Sequence, residues 1–261
     1  MQQVKLSAAI ITYNEEKNIG RCLQSLQGVA DEIVVVDSGS TDDTVKICQR
    51  YNAVVVEQKW LGYGAQKNFA NRIAKHEYIL SLDADEALTD ELKKSIVAEL
   101  QSCDMADAYS ISRLTNYCGH WVKHCGWYPD KKIRLWKKEK ADWEEGVLHE
   151  QLLFPANTNV RHLKGDMQHY SYYSIGDHIA QLNKFTDIAA MQLYEKKKKV
   201  SVVKIIYKTV WKFIRDYIFK RGFLDGYYGF VVCYISSFHV YSKYAKLMHL
   251  YKVNSSKKSA R

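Results

Sequence analysis

The residues with the clearest chemical potential are two aspartates, Asp83 and Asp85, which a single alanine separates at the end of an apolar stretch. Carboxylate oxygens are the ligands that hard cations prefer, and Mg²⁺ usually combines one or two of them with substrate phosphates and water. Mg²⁺ or Mn²⁺ held there would neutralise a phosphate leaving group. An Asp-x-Asp tripeptide also occurs in solvated turns, so the surrounding elements decide its meaning.

A second set of potential metal ligands lies further along the chain, at Cys118, His120, His124 and Cys125. Structural zinc sites place their ligands in separated pairs, whereas the last two of these residues are adjacent. A β-hairpin that ends near Trp127 explains the segment better than zinc binding.

The first hundred residues alternate between strand-like and helix-like patterns. Short apolar runs predict buried strands over residues 6–11, 32–36, 54–56 and 78–82. Helical spacing of apolar residues lies between them, and Ser40 with Asp43 three residues later predicts a helix N-cap. This alternation predicts an α/β fold with a doubly wound, mostly parallel sheet flanked by helices.

Polar residues follow the predicted strands at the positions where such sheets bind ligands. In doubly wound sheets, ligands lie beyond the carboxyl ends of the strands. Residues 12–15 follow the first strand, Asp37 follows the second, and residues 83–85 follow the fourth. The sequence therefore predicts one ligand site formed by these three segments.

The remainder of the chain differs in pattern from residues 1–100. Residues 101–195 contain shorter, aromatic-rich segments, with a helical pattern over 170–194, and we interpret them as an acceptor-binding half of the same domain. The N-terminus lacks a charged and apolar leader, and the six cysteines are scattered in patterns typical of reduced thiols. These features predict a cytosolic protein.

Residues 196–261 form a basic tail. They contain 16 Lys and Arg against two Asp, a net charge of +14, whereas residues 1–195 carry a net charge of −5. Apolar positions over 200–219 keep a helical period, and a second apolar stretch over 223–238 is too short to span a bilayer, which takes about 20 residues. The tail predicts amphipathic helices lying on an anionic membrane surface. The alternative is a helical cap packed on the catalytic body, with its lysines in water.

The motifs taken together resemble those of family 2 glycosyltransferases, which are inverting enzymes with the GT-A fold. The segments that carry this resemblance are residues 12–16, 36–44 and 81–86. Five further segments are similar to a bacterial subgroup that adds sugars to the lipopolysaccharide inner core and includes β-1,4-glucosyltransferases. These segments are residues 62–68, 126–130, 134–135, 147–150 and 222–226.

The resemblance implies nucleotide-binding roles for four residues. Thr12 and Tyr13 would line the base, Glu15 would lie near the ribose, and Asp37 would accept a hydrogen bond from the uracil edge. Two of them have an alternative without nucleotide binding, since Tyr13 could be a core aromatic residue and Asp37 a strand-end turn residue.

The resemblance also implies where the diphosphate and the metal would bind. Asp83 would face the ribose or the metal, and Asp85 would hold Mg²⁺ or Mn²⁺ directly. Lys67 or Arg134 would supply positive charge to the diphosphate, although basic residues are more often solvated surface groups.

An inverting transfer needs a carboxylate base opposite the leaving group, which removes the proton of the acceptor hydroxyl. Glu150 is the candidate, at a point where family members often show a Glu-Asp pair, and Glu145 is the alternative. His149 or His169 offers a third metal ligand, as a histidine does in some relatives.

The resulting hypothesis is a cytoplasmic, inverting, metal-dependent hexosyltransferase at the cytoplasmic face of the inner membrane. It would move a hexose, with glucose expected, from a UDP-sugar to a lipid-linked saccharide such as the lipopolysaccharide core. Alternative acceptors are a polyprenyl phosphate or a capsule or exopolysaccharide chain. An alternative of another class is a non-catalytic protein whose tail binds anionic lipid or nucleic acid. The helical period of the tail favours lipid over nucleic acid, and mere binding does not explain the donor-site motifs.

Overall fold

A computed structural model describes residues 4–145 and 151–259, with side chains up to residue 254. In chain order the elements are β1 (Leu6–Thr12), α1 (Ile19–Leu26), β2 (Glu32–Asp37), α2 (Thr44–Arg50), β3 (Val54–Glu57), α3 (Tyr63–Ile73), β4 (Tyr78–Asp83), β5 (Glu86–Leu88), α4 (Asp90–Leu100), β6 (Ala108–Tyr117), β7 (His120–Val122), β8 (Asp130–Lys137), β9 (Asp142–Trp143), β10 (Leu152–Leu153), β11 (Val160–Tyr172), α5 (Ile175–Glu195), α6 (Val202–Ile214) and α7 (Gly226–Ser259). A π-helical turn covers Arg215–Phe219, and 3-10 turns cover Lys138–Lys140 and Gly222–Asp225.

The chain forms two units, of which the first comprises Met1–Leu114 with Pro129–Tyr170 and the second Thr115–Tyr128 with Ser171–Arg261. The predicted division at residues 100 and 195 remains a prediction about function. In the described residues, one sheet has the strand order β3-β2-β1-β4-β8-β6-β11-β5, and β7 pairs with β6.

The parallel part of this sheet brings the predicted ligand segments to one edge. Strands β3, β2, β1 and β4 are parallel, and their register places Thr12 opposite Asp37 and Ile11 opposite Asp83. Strand β8 then continues the sheet in the antiparallel sense beside β4. The predicted α/β class is confirmed, with a mixed sheet whose second half is largely antiparallel.

Both faces of β1, β2 and β4 are buried, which explains their uninterrupted apolar sequences, whereas the edge strand β3 is partly exposed. Successive side chains of a strand point to opposite faces. Accordingly, Ala8 and Ile10 of β1 belong to the core under α1 and α4, whereas Ala9 packs on the other face with Ala70 of α3 and Trp136 of β8.

Two local predictions are wrong. Helix α2 begins at Thr44, and Ser40 does not cap it, because the Ser40 hydroxyl instead donates to Asp37 Oδ1 at 2.5 Å. The helix predicted over residues 170–194 begins only at Ile175, because the preceding residues belong to β11 and a capping box of Ser174 and Asp177 defines the helix start.

The second unit consists of the β6–β7 hairpin end and the C-terminal helices. Helix α7 packs against both α5 and α6. Asp225, in the 3-10 turn, accepts hydrogen bonds from the backbone N–H groups of Lys123 and His124 and lies 3.0 Å from His124 Nδ1. In the part of the chain that the structure describes, no helix has the length and apolar character that crossing a membrane requires.

Candidate active site

The loop after β2 is organised by Asp37, which is buried. Its Oδ2 accepts hydrogen bonds from the backbone N–H groups of Gly39 and Ser40 at 2.9 and 2.8 Å. The Ser40 hydroxyl in turn accepts the backbone N–H of Asn14 at 2.8 Å, so the loops after β1 and β2 are bonded to each other. Asp37 therefore shapes the loop predicted to receive the nucleotide base.

The three predicted residues after β1 differ in environment. The Thr12 hydroxyl is buried and has no hydrogen-bond partner among the described residues, whereas Tyr13 is exposed. The Glu15 carboxylate accepts a hydrogen bond from Asn18 Nδ2 at 2.8 Å. Burial raises the pKa of Glu15, and the neighbouring carboxylate of Asp85 raises it further. The first loop and the Asp-x-Asp segment therefore share one electrostatic environment.

Asp83, at the end of β4, lies between two buried cations. Its Oδ1 is 3.0 Å from Lys67 Nζ, and its Oδ2 is 2.9 Å from Arg134 Nη2. Burial alone would raise the pKa of Asp83, but these two cations hold it well below its ordinary range. The same Arg134 nitrogen is 2.7 Å from Oε1 of the fully buried Glu86. The structure thus brings Lys67, Asp83 and Arg134 together as predicted positions of one site.

Asp85 faces a histidine that β11 supplies. Strand β11 pairs with β5 and places His169 opposite Glu86, and His169 Nε2 lies 3.2 Å from Asp85 Oδ2. Burial opposes the charged imidazole, but the hydrogen bond to Asp85 and the negative charges of Asp85 and Glu86 together outweigh it, so the pKa of His169 is raised. The other ring nitrogen, Nδ1, is buried without a hydrogen-bond partner among the described residues.

These contacts decide how well a divalent cation fits. Asp85 and His169 offer a converging oxygen and nitrogen, a donor pair that suits Mn²⁺ or Mg²⁺ with phosphate and water as further ligands. Both oxygens of Asp83 already contact cationic side chains. The described residues contain no cluster of three or more His, Cys, Asp or Glu side chains arranged to hold a metal. The pair Asp85 and His169 therefore fits a site that substrate completes.

Of the two candidates for the catalytic base, only one lies in the described residues. Glu150 lies outside the described residues, as does His149. Glu145 is described, and its Oε1 accepts a hydrogen bond from Asn68 Nδ2 at 3.0 Å. Each assignment stays a prediction.

The sequence alone did not predict three polar residues that lie next to the predicted site residues. Glu86 follows the Asp-x-Asp segment directly, and Gln66 and Asn68 flank Lys67 on α3. All three are buried. Their position beside predicted site residues was the available signal, because a buried polar side chain needs a partner.

The sequence family described as Glycosyl transferase family 2 matches residues 7–199, which is most of the chain and includes every described residue of the site above. The chain belongs to glycosyl transferase family 2. A family 2 chain is a glycosyltransferase, and the α/β architecture with its ligand edge is the GT-A type.

Several known proteins are similar to this family 2 chain over most of its length. An uncharacterized glycosyltransferase of Rickettsia typhi is 33% identical over 255 residues, covering 94% of this chain and 87% of the relative. The lipopolysaccharide core biosynthesis glycosyltransferase LpsC of Rhizobium meliloti is 28% identical, covering 93% of this chain and 94% of LpsC. Among solved structures, residues 1–349 of Staphylococcus aureus TarS in complex with UDP-GlcNAc have a TM-score of 0.44 at 18% identity, covering 90% of this chain and 79% of that chain.

Proposed function

We propose that this family 2 enzyme is an inverting hexosyltransferase that moves glucose from UDP-glucose to a lipid-linked saccharide such as the lipopolysaccharide core. The observation that carries the donor side is the cluster of charge at one sheet edge. Asp83 lies between Lys67 and Arg134, next to the converging pair of Asp85 and His169.

The cations beside Asp83 support diphosphate binding. Lys67 and Arg134 are both buried, so their charges act in a medium of low dielectric constant. A donor diphosphate placed beside them would gain two preorganised positive charges, and leaving-group charge would be stabilised without rearrangement of water. Asp83 would then serve the ribose and keep the two cations in position.

A divalent cation, Mg²⁺ or Mn²⁺, would be held by Asp85 and His169, with Asp83 beside them. When bound, it would supply additional positive charge to the departing diphosphate. Thr12, Tyr13, Glu15 and the Asp37 loop would bind the nucleoside. Glu150, or Glu145 in its place, would remove the proton of the acceptor hydroxyl as that oxygen attacks the sugar carbon opposite the diphosphate.

The similarity to LpsC, which extends over nearly the whole of both chains, supports lipopolysaccharide core as the acceptor class. The test is a transfer assay with purified enzyme, Mn²⁺ or Mg²⁺, a panel of UDP-hexoses and lipid-linked core acceptor in vesicles. We expect UDP-glucose to give the fastest transfer, with inverted anomeric configuration. Transfer to polyprenyl phosphate in place of core saccharide would favour the alternative acceptor, and absence of transfer or hydrolysis with every UDP-hexose would refute the donor assignment.

An exposed apolar surface on α6 supports the proposal of a lipid-linked acceptor. Six apolar side chains border one shallow hollow and are all exposed: Val203, Ile206, Tyr207, Val210, Trp211 and Ile214. Exposed apolar patches of this kind mark interaction sites. The partner we propose is an anionic bilayer, because the surrounding residues 196–261 carry a net charge of +14.

The basic residues of α6 and of the turn after it are only partly available to lipid. Lys212 and Arg215 contact the buried carboxylate of Asp216 at 2.5 and 2.9 Å, so part of their charge stabilises the fold of the second unit. Lys204 is exposed and Lys208 is partly exposed beside Tyr244. We therefore propose that apolar contact contributes most of the membrane affinity and that charge increases it.

A further inference from the structure

Three consecutive polar residues in the middle of α3 are buried. Gln66, Lys67 and Asn68 are 0%, 4% and 4% exposed. Successive residues of an α-helix point roughly 100° apart, so three neighbours reach three different parts of the surrounding structure. Because buried polar groups need partners, their contacts show what α3 connects.

The first two residues contact the donor side. Gln66 Nε2 donates a hydrogen bond to the hydroxyl of Ser38, in the loop after β2, at 3.1 Å. Lys67 Nζ lies 3.0 Å from Asp83 Oδ1 and 4.6 Å from the centre of the Trp143 ring. The Lys67 ammonium therefore lies between a donor-side carboxylate and an aromatic face of β9.

The third residue, Asn68, contacts the segment on the acceptor side. Its Oδ1 accepts the backbone N–H of Trp143 at 2.8 Å, and its Nδ2 donates to the Trp143 carbonyl at 2.9 Å and to Glu145 Oε1 at 3.0 Å. This two-way bond with one backbone residue is the pattern that a neighbouring strand makes. All of the donors of the amide are used.

Gly64 allows α3 and the segment after β9 to approach each other closely. Gly64, one turn before Asn68, would place an added Cβ 2.1 Å from the carbonyl oxygen of Glu144. The helix backbone and the residues after β9 therefore pack without an intervening side chain. On its other side, this segment is held by β10, since the Glu144 N–H donates to the Gln151 carbonyl at 2.8 Å.

We infer that Asn68 is a positioning residue of the transfer reaction. It fixes the segment Trp143–Glu145 against the helix that also carries Lys67, and so sets the acceptor side of the site relative to the diphosphate side. The inference rests on the proposed function. Transfer requires the acceptor oxygen and the donor carbon at near-attack distance, and a misplacement of about 1 Å costs on the order of 100-fold in rate. Donor binding does not require that alignment.

The test compares Asn68→Ala with Asn71→Ala. Asn71 is also a buried amide of α3, but its side chain has no hydrogen-bond partner among the described residues, so it controls for lost volume. For Asn68→Ala we expect about a 100-fold lower kcat for transfer. The Kd for the UDP-sugar and the rate of donor hydrolysis without acceptor should stay within about twofold of wild type, because neither depends on the alignment. Asn71→Ala should transfer at close to the wild-type rate.

Asn68→Asp is the second variant, because it keeps the volume and the acceptor for Trp143 N–H but removes both donated hydrogen bonds. If Asn68→Ala does not fold, the same split between transfer and donor hydrolysis is expected in Asn68→Asp. Transfer by a folded Asn68 variant at more than half the wild-type rate would overturn the inference, and so would equal losses in donor binding and transfer. A wild-type enzyme that neither hydrolyses nor transfers any UDP-hexose would instead refute the proposed function.

Discussion

Asp83, Glu86 and Arg134 form a buried group in which one guanidinium contacts two carboxylates, each of which also has a second cation nearby, Lys67 for Asp83 and Arg113 for Glu86. Arg134 Nη2 lies 2.9 Å from Asp83 and 2.7 Å from Glu86, which also accepts the backbone N–H of Asp83 at 2.9 Å. Glu86 thereby holds the strand end from which Asp83 and Asp85 project. Under the proposed function, Arg134 would contact the donor diphosphate as well as these two carboxylates of the fold.

Replacing Arg134 should destabilise the protein. Arg134→Met leaves Asp83 with Lys67 alone and Glu86 with the more distant Arg113 alone, and breaking comparable buried pairs costs about 3–5 kcal/mol. The free energy of unfolding from urea denaturation measures it. The control is Arg161→Met, because Arg161 pairs with the largely exposed Asp104 at 2.6 Å, and losing this surface pair should destabilise the protein much less. Equal losses in the two variants would contradict a special role for the buried group.

Replacing Asp85 should separate catalysis from folding. Asp85→Asn keeps the side-chain volume but removes the carboxylate that faces His169, and we expect transfer to fall by about 100-fold or more. Circular dichroism should match wild type. We expect Mn²⁺ with UDP to raise the melting temperature of the wild type, and this rise should be smaller in Asp85→Asn. Near-normal transfer by Asp85→Asn would refute the metal assignment.

The base assignment can be decided by two matched variants. Glu150→Gln should retain donor binding and lose transfer, because an amide cannot accept the proton of the acceptor hydroxyl. Glu145→Gln keeps an oxygen for the hydrogen bond from Asn68 and should retain most of its transfer activity. Steady-state transfer rates at saturating donor measure both. If Glu145→Gln is the inactive variant, Glu145 is the base.

At the scale of elements, α6 is unusual because most of its surface is exposed although it is rich in apolar residues. Among its residues only Ile205 is fully buried, and it packs in the second unit. An amphipathic helix ordinarily places its apolar residues against a core. The exposed face of α6 is therefore explained by a partner, and the bilayer proposed above supplies one.

Two substitutions of matched exposure test that proposal. Ile206→Glu, on α6, introduces a charge where the side chain is 56% exposed, so it should leave folding intact and weaken sedimentation with anionic vesicles by about tenfold or more. Ile179→Glu, on α5 at 49% exposure, is the control and should bind vesicles as wild type does. Unchanged vesicle binding by Ile206→Glu would exclude this face as the membrane contact.

At the scale of the whole molecule, the reactivity of the six cysteine thiols tests how the protein is packed. All six cysteines lie in the described residues and none forms a disulfide. Burial raises the pKa of Cys22 and raises that of Cys48 to about 12, whereas Cys103 is exposed. A thiol reagent at pH 8 should modify Cys103 first in the native protein, and mass spectrometry locates the adduct. A Cys103→Ser variant should lose the fast phase, and rapid modification of Cys22 or Cys48 would contradict the packing of the first unit.

The parts of this molecule that could be predicted from sequence are those with local causes. Strands buried on both faces require apolar runs, so the sequence predicted β1, β2 and β4 and the residues at their carboxyl ends. The sequence did not predict contacts between residues that are far apart in the chain. Asn68 and Trp143 are joined across 75 positions, and nothing in the sequence near either one indicates the other. The Ser40 hydroxyl bonds to Asp37 and to the Asn14 N–H instead of capping α2, and Asn14 lies in another loop.

The close contact at Gly64 limits which segments of this enzyme can be exchanged with those of its relatives. A chimera that exchanges residues 141–154 to alter acceptor choice would import a backbone that must fit a helix inherited from the other parent. We therefore expect a chimera to fold and function when the exchanged segment and the residues equivalent to Gly64 and Asn68 come from the same parent. Helix α3 and residues 141–154 therefore form one exchangeable unit, although they are far apart in the sequence.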